Sequence, residues 1–390
     1  MATEIRGTSE RLDRLGPAMA WSVLAILSLW AMRREFRRVF SEHGLWDFGA
    51  FVASGRAAAS GLDPYGIYPP LTPHVVFPGF ESWNPNLNPP ISALLFQLFD
   101  TADPAAAFQV WLVISVLCYA AAVLLLLWRF RDRFYTPLIG VWAFGLAGFL
   151  DTLYLGQIYT PLVLAAVAAW LLIERGKMVE AGVLIGLLVS MKPNFLVWPV
   201  LLFLAGYRVS SLTSVVTAAI IAAIPLFIFG PEIYLNWLGL VAGDGDRAVF
   251  LTNASLSGLA ARADLAWLGT PLGVLLLLSL AYWAFRYRPA ALDASAMALL
   301  AALLASPLGW IHYTLFLLPV IFHYAHRIWI WPVAAALIVP VPFVLAQFGK
   351  PAWVQLTSGS VYGWALVWLL VVLTWRARQK RDHLVQEPRL

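Results

Sequence analysis

Trp46-Asp47-Phe48 stands directly after the first membrane-length apolar run, near 15–35, and opens a Gly-, Pro- and Trp-rich polar segment that continues through Asn88-Pro89-Pro90. A carboxylate at the mouth of a membrane helix is costly, because lipid offers it neither water nor a partner, so such groups are usually put to use. Asp47 is therefore the first candidate for chemistry. The surrounding stretch reads as the outer exit of a first span, followed by a long loop.

The rest of the chain agrees with a membrane reading. Of 390 residues, 61% are hydrophobic and 12% charged, with a mean hydropathy of +0.77. A soluble domain of this length needs more charged surface, so the chain reads as an all-α polytopic membrane protein. Further apolar runs fall near 108–128, 136–150, 157–173, 179–191, 194–207, 211–229, 267–284, 293–306, 310–324, 328–346 and 361–375. Counting all of them predicts a bundle of about twelve transmembrane helices. One domain is expected over 1–375, with 36–107 as the first extracytoplasmic loop and 376–390 as a loose cytoplasmic tail. The apolar stretch 17–32 imitates a signal peptide, but no small-x-small cleavage site precedes Arg33-Arg34 and Arg37-Arg38, so it reads as a retained span.

Basic residues recur at alternate ends of the apolar runs: Arg129, Arg131 and Arg133, then Arg175 and Lys177, Arg208, Arg286 and Arg288, and Arg376 to Arg381. That is the positive-inside pattern, and it puts both termini in the cytoplasm. The arginines after the first span run against it and are outvoted. The net charge of +5 forms no contiguous basic face, which argues against a nucleic-acid partner. A single cysteine, Cys118, excludes an internal disulfide framework and a thiolate metal site.

Several apolar runs are short for a bilayer that asks for about twenty residues. The hairpins 136–150/157–173 and 179–191/194–207 therefore draw their turns, Gly156-Gln157 and Lys192-Pro193, below the outer surface, where they must face protein or water. In the long loop, Phe48, Phe51, Val52 and Gly55 suit one side of an interfacial helix. Asp63-Pro64-Tyr65-Gly66 is turn composition, and Asn88-Pro89-Pro90 suits a helix start running to Phe99.

There is no phosphate loop, dinucleotide glycine fingerprint or His-Glu-x-x-His helix. An outer-facing carboxylate, lysine and histidine together suit transfer from a lipid phosphate to a hydroxyl. The carboxylate takes the acceptor proton and cations stabilise the leaving phosphate. Each residue also has a plainer reading: Asp47 as a helix cap, Asp63 as turn chemistry, Lys192 as a snorkelling anchor. Gln157 equally suits the needs of broken backbone, Asn253 with Ser255 a helix cap, and His312 a packed core. Asp244-Gly245-Asp246 mimics a metal-binding pair but is ordinary turn composition.

The ordered set of motifs resembles glycosyltransferase family 87, of the C-type glycosyltransferase superfamily, which includes polyprenol-phosphate-mannose-dependent mannosyltransferases. It comprises Asp47 with Gly61-x-Asp63-Pro64-Tyr65, Asn88-Pro89-Pro90, Gly156-Gln157-Ile158, Ala181-Gly182, Gly186 and Lys192-Pro193. It continues with Asn253-x-Ser255-Leu256-x-Gly258-Leu259, Ser306-Pro307 and Trp310-x-His312. This chain departs from the family pattern at Phe51, at Tyr159 after Gly-Gln, and at His312-Tyr313 where a His-His pair is frequent.

The resemblance implies a C-type hexosyltransferase in the cytoplasmic membrane, multi-pass, with its site on the extracytoplasmic side. Its partners are a polyprenyl-phosphate-linked sugar donor, mannosyl by analogy, a lipid or glycan hydroxyl acceptor, and membrane lipids. Asp47 is implied as catalytic base and Lys192 as donor-phosphate ligand. His312, Gln157, Asn88, Asn253 and Tyr65 are implied in substrate positioning, with no metal and no cofactor. The rival expectation is a transporter or flippase for lipid-linked sugars, which shares the helix number and broken hairpins, although no mirrored halves are visible. A structural scaffold leaves the ordered polar positions unexplained.

Overall fold

The computed structural model describes the backbone of residues 2–41, 44–77 and 80–386, and the side chains of 15–40, 44–77 and 80–379. Lys380 and Arg381 of the last basic cluster, and the end of the expected tail, lie outside those side chains. The tail does not leave the helix at Arg376: one helix runs Val361–Gln386.

Among the described residues, six helical segments are long and apolar enough to cross a membrane: Leu15–Phe40, Pro104–Arg129, Thr136–Leu155, Arg208–Phe229, Ala266–Tyr287 and Ala352–Gln379. Six shorter apolar helices accompany them: Tyr159–Glu174, Met178–Met191, Pro193–Leu204, Ala291–Leu304, Ile311–Tyr324 and Ile328–Leu337. The protein is thus a helical membrane protein. Arg208–Phe229 carries exposed Val216, Ile220, Phe227 and Ile228 as a lipid-facing helix should, whereas Thr136–Leu155 is long but mostly buried. Among the short helices, Ala291–Leu304 is enclosed at Ala298 through Leu304.

Proline explains much of the shortening. The apolar run 328–346 breaks into Ile328–Ile330, Trp331–Leu337 and Val341–Leu345, with Pro332, Pro340 and Pro342 removing backbone donors. The run expected to end at 150 continues instead: the chain breaks after Phe144 and resumes as Ala147–Leu155, which carries Asp151 inside the helix. At the break the Tyr119 hydroxyl donates to the Ala143 carbonyl (2.7 Å), satisfying an acceptor that lipid cannot serve.

The helices alternate in direction, and this sorts the polar groups. Pro104–Arg129 begins beside the polar loop, where Trp111 Nε1 donates to the Gly156 carbonyl (3.0 Å). Its 26 residues rise about 39 Å, enough to cross a hydrocarbon core about 30 Å thick. At its far end Arg129 forks onto the Glu174 carboxylate (2.7 and 2.6 Å), and nearby Arg133 donates to the Phe322 carbonyl (2.7 Å). The breaks at Gln157, Lys192 and His312 therefore gather at one end of the bundle, and Arg129, Arg133 and Glu174 at the other.

The loop segment differs from its expected form. The helix Trp46–Ala59 does not lie with one face on a surface; Phe48 through Gly55, with Ala57 and Ala58, is buried. Gly55 accounts for this, since a Cβ there would stand 2.5 Å from the Phe96 carbonyl carbon. Only glycine lets the backbone of Ile91–Phe96 approach so closely. That second helix is not capped by Asn88. Pro90 stands at its N-cap without a side-chain bond, and Ser92 Oγ donates to the Pro89 carbonyl (2.7 Å) instead. Between the helices lies a two-stranded β-hairpin: strands His74–Phe77 and Phe80–Trp83 pair antiparallel, with His74 opposite Trp83 and Phe77 opposite Phe80. The turn expected at 63–66 forms, with Asp63 Oδ1 accepting from the Tyr65 amide (3.0 Å).

Candidate active site

At the end of the bundle opposite Arg129, the hairpin, the loop helix and the helix breaks enclose a cavity of about 650 Å³. Its polar lining includes Asp47, Asn84, Asn88, Gln157, Lys192 and His312, and its apolar lining Phe77, Phe250, Val341, Pro342 and Leu345. A concave space with convergent polar groups on an apolar wall is the form that ligand sites take.

Asp47 sits in the first turn of Trp46–Ala59, where the helix dipole favours negative charge. Trp46, just before it, holds a left-handed φ of 32° that a bulky residue rarely adopts, and its ring meets Tyr154 (centroids 5.8 Å). Both Asp47 oxygens accept hydrogen bonds from neutral amides, Oδ1 from Asn84 Nδ2 and Oδ2 from Gln157 Nε2. Gln157 reaches it because Gly156 takes φ 67° to end its helix, in contact range of Phe48 where any Cβ would clash.

Among the described residues no cation pairs directly with Asp47. Burial raises its carboxyl above the usual range, while the His312 charge, the two amide hydrogen bonds and the Arg247 charge pull it back. Its accessible surface is on the cavity.

A second carboxylate in the same cavity is in the opposite condition. Asp151 Oδ1 accepts from Arg38 Nη2 (2.7 Å) and its Oδ2 meets His312 Nε2 (2.9 Å). Arg38 also reaches Glu35 (2.9 Å). Asp151 is therefore saturated by charge, and Asp47 is the carboxylate left able to take a proton. His312, 4% exposed, keeps a buried Nδ1 without a protein partner. Its ring stacks on Tyr159 (5.3 Å, 7° between planes).

Tyr159 also holds Lys192, whose Nζ donates to the phenol oxygen (3.0 Å) and lies over the Tyr159 and Tyr313 rings at 4.6 and 5.5 Å. No carboxylate pairs with this buried ammonium among the described residues. Aromatic faces and one hydroxyl compensate a buried cation only in part, which leaves room for an anion.

The structure thus brings Asp47, Gln157, Asn88, Lys192 and His312 to one cavity. Tyr65 stands behind the wall, its hydroxyl donating to the Asn88 carbonyl (3.0 Å). Asn253 is away from the cavity. It is fully buried and ties its loop to the 306–310 segment: Nδ2 donates to the Ala248 and Pro307 carbonyls (both 3.1 Å), and Oδ1 accepts from the Gly309 amide (2.9 Å). Ser255 is the residue that caps, its Oγ accepting from the Gly258 amide (3.1 Å).

Sequence reasoning missed Asn84, Asp151, Arg38 and Arg247. Asp151 carried a usable signal, being a lone carboxylate at the edge of an apolar run. Asp244 is occupied by Arg247 Nε (2.5 Å) rather than poised with Asp246 for a metal. Among the described residues no group of three or more His, Cys, Asp or Glu side chains converges as a metal site.

The chain is thus a helical membrane protein with a polar-lined cavity at one end of its bundle. The model of glycosyltransferase family 87 matches residues 86–307, more than half of the chain, and the chain belongs to that family; it is a glycosyltransferase. No curated protein and no solved structure gives a match. The matched region contains Asn88, Gln157, Lys192, Arg247 and Asn253. Asp47, Tyr65 and His312 lie outside it, so their roles rest on geometry.

Proposed function

We propose that the protein is a hexosyltransferase that moves a sugar, mannosyl by family analogy, from a polyprenyl phosphate to a hydroxyl of a lipid or glycan acceptor. It works in a C-type bundle of about twelve spans in the cytoplasmic membrane, on the extracytoplasmic side. The orientation follows from the positive-inside rule applied to the Arg129–Arg133 end.

The reaction is one inverting displacement. The acceptor oxygen bonds to the anomeric carbon while its proton passes to the Asp47 carboxylate. The bond from that carbon to the phosphate oxygen breaks, and polyprenyl phosphate leaves with the electron pair. Lys192 holds the leaving phosphate and stabilises the charge that grows on it. His312, Gln157 and Asn88 orient the substrates, and Tyr65 and Asn253 support the walls on which the site is built.

The observation that carries this reading is the pairing, in one cavity, of a carboxylate with neutral partners only and an ammonium with no carboxylate. Transfer from a radiolabelled polyprenyl-phosphate hexose by the purified protein tests it. Asp47→Asn should abolish incorporation into acceptor without preventing donor binding. Incorporation at the parent rate sinks the assignment.

A further inference from the structure

Asn84 is held between Asp47 and Arg247. Its Nδ2 donates to Asp47 Oδ1, and its Oδ1 accepts from Arg247 Nη1 (2.6 Å). The last torsion of an asparagine is broad and roughly two-fold, so a free amide there would as readily turn its carbonyl towards the carboxylate. A guanidinium offers donors only, and against it the amide has one acceptable orientation. Arg247 is itself fixed, with Nε on Asp244 Oδ1 (2.5 Å), Nη2 on the Trp83 carbonyl (2.8 Å), and 7% exposure.

We propose that Arg247 is a positioning residue for the Asp47 base: it locks the Asn84 amide in the orientation that donates to the carboxylate. The inference rests on Asp47 being the base. It gives the turn Gly245–Val249 a part in catalysis, because Arg247 lies there and reaches Asn84 at the end of the hairpin. Phe250, next in the chain, packs edge-on against Phe77 and Phe80 of both strands (5.2 and 4.8 Å), so turn and hairpin hold together over Asp47. A guanidinium whose three nitrogens all serve protein partners acts on the reaction through Asn84 rather than as a direct phosphate clamp.

The charges around Asp47 come from several elements. His312 stands on Ile311–Leu317 and Lys192 at the break after Met178–Met191. The Tyr159 phenol stands on Tyr159–Glu174, and Arg247 acts from the turn. Removing the Arg247 charge favours the protonated carboxyl, so the base forms only at higher pH.

The test is the pH profile of kcat/KM for transfer, in the full-length protein, for Arg247→Gln, Arg247→Lys, Asn84→Ala and the double variant Arg247→Gln/Asn84→Ala, beside Asp47→Asn. Arg247→Gln should lower kcat about ten-fold, leave donor KM within about two-fold, and move the acid limb to higher pH. Asn84→Ala should do the same, and the double variant's kcat should be no lower than that of either single one, since both act on kcat through one link. Its acid limb should lie higher still, because the Arg247 charge also acts on the carboxyl directly. Arg247→Lys keeps the charge without the fork and should return the acid limb while recovering only part of kcat. An unmoved limb, additive losses, or a raised donor KM at unchanged kcat each overturns the proposal. If Arg247→Gln does not fold, Arg247→Lys and Asn84→Ala decide it by the same limb and kcat. Inactive Asp47→Asn with additive losses sinks the Arg247 link alone; active Asp47→Asn sinks the base assignment and this inference with it.

Discussion

Gln157 and Asp47, 110 positions apart in the chain, share a hydrogen bond in which the amide donates to the carboxylate. With Asn84 on the other oxygen, Asp47 is satisfied by neutral donors and neutralised by none. Buried without a direct cation, it keeps affinity for a proton. Asp151, in the same cavity, is instead paired with Arg38 and His312. On the proposed reading, two carboxylates in one space divide into a base and an anchor.

A base must be ionised to act, and burial raises Asp47, so transfer should climb with pH along a limb centred above the ordinary aspartate value of about 4. Asp47→Asn should cost about 10²-fold or more in turnover and erase that limb. Its amide also presents an NH2 to one of two donors, so a modest fall in melting temperature should accompany the loss. A wild-type profile without an acid limb, or an unchanged limb in Asp47→Asn, contradicts the assignment.

Asp151→Ala should behave differently. It leaves the Arg38 guanidinium and His312 without their carboxylate at a site where Asp151 is 3% exposed. Breaking a buried pair by removing one partner costs about 3–5 kcal/mol, so this variant should melt far lower than Asp47→Asn. A variant that melts like the parent yet transfers nothing would make Asp151 part of the chemistry rather than the support of His312.

The sequence exposed Asp47, Gln157, Lys192 and His312 because each interrupts or borders an apolar run, where a polar side chain is costly and conspicuous. Several short helices were legible from run lengths, whereas the proline breaks within 328–346 were not read. Asn84 and Arg247 were not, because their significance lies in an apposition of two loops 163 positions apart. Directly after Asp244-Gly245-Asp246, Arg247 has the look of solvated turn composition. The burial of Trp46–Ala59 was hidden for a similar reason. Its apolar stripe suits an interface, and only the backbone of Phe96 against Gly55 reveals that protein covers it. Asp151 was missed by one position, since the apolar run was closed at 150.

Orientation is open to chemical labelling. In a Cys118→Ala background, Ser60→Cys, exposed after the loop helix, should react with a membrane-impermeant maleimide added outside intact cells. Arg131→Cys, exposed in the basic cluster at the other end, should react only after permeabilisation. The reverse pattern would put the cavity on the cytoplasmic side and remove lipid-linked donors presented outside.

Lys192 separates a phosphate ligand from a hairpin anchor by its effect on stability as well as on turnover. Its ammonium is buried against Tyr159 and Tyr313 with one hydroxyl acceptor, an arrangement that costs stability when no anion is bound. Lys192→Met, similar in length and without charge, should therefore melt at or above the parent temperature while losing donor. Donor KM should rise about ten-fold or more, the scale of a lost charge-assisted hydrogen bond. Lys192→Arg should retain part of the donor affinity. Added polyprenyl phosphate should raise the melting temperature of the parent and leave Lys192→Met unmoved, because a ligand stabilises only the protein that binds it. If Lys192→Met melts lower than the parent and binds donor equally well, the lysine anchors the turn between its two short helices and the phosphate is held elsewhere.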